Sequence, residues 1–144
     1  MNQQNYASEI FWVRISYWTG AIIDLVFAVI LIFSPGLIQV FWQLDTPVQE
    51  TDLMWTKYLG SIVFSWTCLL LWADRKPLER IGVLLLTCYP IIGGLISVDV
   101  YSIIYSLANP IILGLRITML SLVFILMMFS YNKAKRVDYK TNTI

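Results

Sequence analysis

The chain has 144 residues, 58% of them hydrophobic and 13% charged, with a formal net charge of +1 and a mean hydropathy of +0.72. Soluble domains use about 45–50% apolar residues, so this composition points to a bilayer. Near-zero net charge, no glycine-rich phosphate loop and basic residues only at the edges of apolar runs exclude nucleic-acid and nucleotide binding.

Histidine is absent. That removes His ligation of haem, the usual His-containing zinc sites and catalysis by imidazole. The two cysteines, Cys68 and Cys88, form no CxxC pair and read as packing residues. No cofactor or metal is implied.

The first apolar run, residues 10–33, is long enough to span a bilayer and carries Arg14 and Asp24 within it. At about 100° per residue, Arg14, Tyr17, Ala21, Asp24 and Ala28 share an arc of about 80°. Trp12, Ile22, Ile23, Val26, Val29 and Ile30 lie off that seam and suit lipid or looser packing. A hydroxyl, small side chains and charges on one seam predict a helix packed into a bundle. No basic residue precedes Arg14 and no small-x-small site follows the run, so this helix is expected to stay in the mature protein.

Pro35-Gly36 ends the first span. Residues 37–44 are too short to cross and read as a segment lying in the interface, with Trp42 at headgroup depth. Thr51-Asp52 is a cap for a second span over 53–73. The charged turn DRKPLER leads to a third span over 80–100, interrupted by Pro90 and Gly93-Gly94. Residues 101–108 read either as an extension of it or as an outer loop. Asn109-Pro110 then starts a fourth span over 110–131, and the polar, basic residues 132–144 form a tail.

The expected fold is therefore an all-α integral membrane protein, a single domain of four transmembrane helices running up-down-up-down, with a short interfacial segment after the first. Arg75, Lys76, Arg80, Lys133, Lys135, Arg136 and Lys140 fall on one side and Lys57 near the other, so both termini are expected to be cytoplasmic in a cell membrane.

Each span offers one charge to the outer half: Asp24, Lys57, Asp99 and Arg116. In an up-down bundle the first helix neighbours the fourth, which makes an Asp24–Arg116 pair reasonable. The four charges read either as a site for a polar or ionisable ligand or as buried pairs that fix helix order. Lys57 and Asp99 also fit snorkelling positions in the headgroups. Arg14 fits two readings, snorkelling to lipid phosphate or pairing with Asp74 or Glu79. Lys57, Gly60, Phe64, Cys68 and Leu71 share a face of the second helix. Thr87, Pro90, Gly94, Ser97 and Tyr101 form a small, polar stripe on the third. With Arg14 and Tyr17, Ser97 and Tyr101 are candidates to line a cavity, and tight packing is the alternative.

In layout the chain is similar to small four-span families such as the DoxX-like proteins and the sterol-handling EXPERA group. In the latter, membrane acids face an internal pocket. The likeness covers layout and no motif residue.

These readings predict a non-enzymatic protein that binds or transports a small polar or amphipathic molecule through the charged cluster. The alternative is a non-catalytic accessory subunit of a larger membrane complex. Expected partners are the lipid bilayer and a homo-oligomer or larger complex. A lipid-modifying enzyme would need a metal-binding carboxylate motif or a His-based acid–base pair, and neither is present.

Overall fold

A computed structural model describes residues 3–34, 36–37, 50–107 and 109–141. They form four helices: α1 (Gln3–Phe33), α2 (Glu50–Asp74), α3 (Gly82–Ile104) and α4 (Pro110–Thr141). No strand occurs among the described residues. Three stretches, Ser8–Phe33, Gly82–Ile104 and Pro110–Lys135, are long and apolar enough to cross a membrane. The helix α2 has the length, but it carries Lys57, Ser61, Ser65 and Thr67 and is not among those three stretches. Most of the predicted interfacial segment, residues 38–44, lies outside the described residues.

Local sequence explains the helix ends. Ser34 still donates to the Ile30 carbonyl at 2.9 Å, and the following proline disfavours helical backbone at Ser34. At the start of α4, the Asn109 side-chain oxygen accepts the Ile111 N–H at 2.9 Å, with Pro110 at the first helical position. The end of α3 is closed by Ser106, which has φ 53°. Leu107 N–H donates to the Ser102 carbonyl and Ser106 N–H to that of Ile103, a Schellman closure that ordinarily uses glycine.

Several boundaries differ from expectation. The first helix begins at Gln3 and the fourth runs to Thr141, because neither flank holds a proline or glycine to stop it. The basic tail therefore continues as helix to Thr141. Thr51 and Asp52 lie inside the first turn of α2 instead of capping it. Residues 101–104 extend α3.

Within α3, Pro90 lies in a π-helical turn, Thr87–Ile92. Proline has no N–H to donate and its ring crowds the carbonyl four residues back, and the wider turn accommodates both. The turn inserts about one residue, rotating everything after it by about 100°.

The helix α1 is the hub. It packs antiparallel along α2, and its first half packs on the second half of α4, while α3 rests on α4. Close approach of α1 and α2 depends on Gly60, where a Cβ would sit 2.7 Å from Ile32 Cγ1 and 2.9 Å from Leu31 Cβ. The core gathers Val13, Tyr17 and Ala21 of α1 with Leu70 and Ala73 of α2, Leu84, Cys88 and Ile92 of α3, and Met127 and Ala134 of α4. Much of it lies toward the end that holds the α2–α3 turn. Ile22, Ile23, Val26 and Val29 are exposed, as the periodicity of α1 requires.

Candidate functional site

The seam of α1 comes first. Tyr17, Ala21 and Ala28 are buried, Asp24 is half-buried and Arg14 is exposed at its end. Arg14 pairs with Asp74 across the α1–α2 interface, Nε to Oδ1 at 3.0 Å and Nη2 to Oδ2 at 3.1 Å. This two-point geometry fixes helix register as well as charge. Trp18 Nε1 donates to the same carboxylate at 3.2 Å, so Asp74 has three donors. Glu79, the other candidate, binds Lys76 at 2.8 Å. Tyr17 is a strut, its hydroxyl donating to the Arg80 carbonyl at 2.9 Å and tying α1 to the turn.

Arg116 on α4 pairs with Asp99 on α3. Its Nε donates to Oδ2 at 2.7 Å, and its Nη2 contacts Oδ1 closely. The Asp99 side chain is 1% exposed and that of Arg116 27%. The proposed Asp24–Arg116 pair does not form. The register explains why: Ser16 bonds Ser130, and a Cβ on Gly20 would meet Met127. Continued along both helices, that places Asp24 level with about residue 123, about 10 Å short of Arg116 at 1.5 Å per residue.

Lys57 is exposed on α2. Gly60 lies against Ala28 and Leu31, so Lys57 is level with the end of α1, about 13 Å from Asp24 along the axis. The four-charge cluster thus separates into one closed pair and two distant single charges. Among the described residues, Asp24 has no hydrogen-bond or ion-pair partner.

The cavity candidates on α3 face outward. Ser97 and Tyr101 are exposed; the Ser97 hydroxyl donates to the Gly93 carbonyl at 2.8 Å, and the Tyr101 ring lies 4.3 Å from that of Tyr105. Of the predicted stripe only Thr87 is buried. The other buried positions, Leu84, Cys88, Ile92 and Asp99, lie within about 80° of one another at 100° per residue, on a different face from most of that stripe. On α2 the expected face is also rotated: of its five residues only Gly60 is buried, and the packed face is Gly60, Thr67, Leu70, Ala73 and Asp74. Both cysteines are free thiols, Cys68 exposed and Cys88 buried.

No protein-family model, curated protein or solved structure matches this chain.

Its chemistry must be read from its own residues. Sequence reasoning missed the buried Ser16–Ser130 hydrogen bond of 2.7 Å, whose signal was two serines inside long apolar runs. It also missed the stacking of Arg80 on Trp72, 3.4 Å from guanidinium carbon to ring centroid, and Lys133 over the rings of Trp12 and Phe129. Among the described residues, no three of Cys, Asp and Glu gather as a metal site. The three ion pairs, Arg14–Asp74, Lys76–Glu79 and Arg116–Asp99, are satisfied within the protein. Asp24 is half-buried and has no partner among the described residues.

Proposed function

We propose that this is a four-span, up-down-up-down membrane protein, with both termini and the α2–α3 turn cytoplasmic, that binds or passes a small polar or amphipathic molecule. Asp24 is its acceptor, and the role is not enzymatic. The fourth crossing is supported by α2 packing antiparallel along α1, from Asp74 beside Arg14 to Gly60 beside Ala28 and Leu31. A helix lying along a spanning helix over that distance spans with it. The orientation is supported by Arg75, Lys76 and Arg80 lying at the same end as Lys133 and Lys135.

Asp24 carries the functional reading. It is a carboxylate inside an apolar span, between buried Ala21 and Ala28, with no partner among the described residues. An uncompensated charge there costs roughly 3 kcal/mol or more, which favours capture of a ligand that presents a positive charge or a hydrogen-bond donor. The test is a panel of amphipathic amines and neutral analogues, with binding and liposome flux recorded for wild type and Asp24→Asn. A folded D24N protein that binds and transports like wild type refutes the assignment.

The accessory-subunit reading is favoured by a different observation. Lys57, Ser61 and Ser65 form an exposed polar stripe on α2, an unusual surface to present to lipid. Recovery of a stoichiometric partner released by Ser61→Leu and Ser65→Leu would establish it.

A further inference from the structure

We infer that the exposed face of α1 beginning at Arg14, with Arg80 on the adjoining turn, binds an anionic phospholipid, headgroup at the guanidiniums and one acyl chain along the helix. The site is separate from Asp24. Arg14, Trp18, Ile22, Leu25 and Val29 are all exposed and fall within about 80° of arc. In order along the helix they present a cation, an indole and three aliphatic side chains. That is the order of a phospholipid, from phosphate through glycerol to acyl chain.

The headgroup end has a built geometry. Asp74 engages Nε and Nη2 of Arg14 and orients its guanidinium, leaving Nη1 without a partner among the described residues. The Arg80 guanidinium carbon sits over the Trp72 ring while its Nη1 donates to the Trp72 carbonyl. Its Nε and Nη2 have no partner among the described residues. Tyr17 joins the two arginines, one turn from Arg14 and bonded to the Arg80 backbone. Both cations are therefore held in place before any ligand arrives, which lowers the entropic cost of binding.

Charge at this end favours an anion. Arg14, Arg75, Lys76, Arg80, Lys133 and Lys135 stand against Glu9, Asp74 and Glu79; with Arg14 paired to Asp74 and Lys76 to Glu79, Arg75, Arg80, Lys133 and Lys135 remain against Glu9. Lipid is favoured over an acidic peptide by the two indoles, Trp18 at 49% and Trp72 at 48% exposure. They sit where interfacial tryptophans belong, and Trp18 continues directly into the aliphatic stripe.

The experiment uses the full chain, delipidated in mild detergent. Phosphatidylglycerol, phosphatidylcholine or inorganic phosphate is added, and retained lipid is measured by native mass spectrometry beside the thermal unfolding midpoint. Phosphatidylglycerol is expected to be retained in preference to phosphatidylcholine and to raise the midpoint more. Arg80→Gln should weaken that preference about fivefold, the share of one basic residue near an anionic surface, and Arg80→Lys should restore part of it. Arg75→Gln, on the exposed turn, should have less effect than R80Q. Equal retention of both lipids by wild type, or an R80Q preference equal to wild type, overturns the proposal. Equal stabilisation by inorganic phosphate overturns the lipid as ligand in favour of a free anion. If R80Q does not fold, R80K and Ile22→Ser decide, since a headgroup-and-chain site must be weakened by both.

Discussion

Removing either half of the Asp99–Arg116 pair should have unequal effects, because the two side chains are buried unequally. Arg116→Gln leaves a carboxylate that is 1% exposed, with no route to water. Losing one partner of a buried pair costs about 3–5 kcal/mol, and R116Q should fall in that range. Asp99→Asn leaves an arginine that is already 27% exposed and long enough to snorkel toward the interface, so it should cost about 2 kcal/mol or less. The double variant should recover a coupling energy of about 2 kcal/mol. A parallel cycle on Asp24 and Arg116 should give a coupling of no more than about 0.5 kcal/mol, as expected for sites that share no contact. The assay is reversible unfolding in bicelles, followed by tryptophan fluorescence, for wild type and both sets of variants. Equal costs for R116Q and D99N, or a large Asp24–Arg116 coupling, would refute the helix register deduced here.

Three other outcomes are expected. Gly60→Ala should destabilise by about 1–3 kcal/mol through overpacking, since its Cβ would meet the Leu31 Cβ and approach the Ala28 carbonyl; Gly20→Ala should cost less because it meets only the ends of Met127 and Leu70. Thermal midpoints of the two variants compare them directly. Ser106→Gly should stabilise by about 0.5–1 kcal/mol, because glycine adopts φ 53° without the Cβ penalty that serine carries; a drop in midpoint would contradict the Schellman closure. A membrane-permeant maleimide should leave the buried Cys88 unmodified until unfolding, which mass spectrometry of the peptides reads out.

Much of the helical framework was legible because its causes are local. The apolar runs, the proline after Ser34 and the Asn109-Pro110 start each act within a turn or two. The 3.6-residue period alone identified Tyr17, Ala21 and Ala28 as buried and Ile22, Val26 and Val29 as exposed. The pairing of Arg14 with Asp74 was one of two partners within reach of the turn. The site was less legible. Which acid takes Arg116 depends on axial register between helices, and an error of about 10 Å separates Asp24 from it.

Sequence by itself determined that this chain forms long apolar helices, and which side of α1 packs inward. Packing between helices decides the rest: the closed Asp99–Arg116 pair, an Asp24 without a partner among the described residues, the outward turn of Ser97 and Tyr101, and the rotated face of α2. The physical reason is the range of the interactions. Periodicity is a property of one helix, whereas register is set where helices touch, at Gly60 against Leu31 and Ser16 against Ser130. The phase of α3 adds the one exception to uniform periodicity, a π turn around Pro90 that moves every later side chain by about 100°.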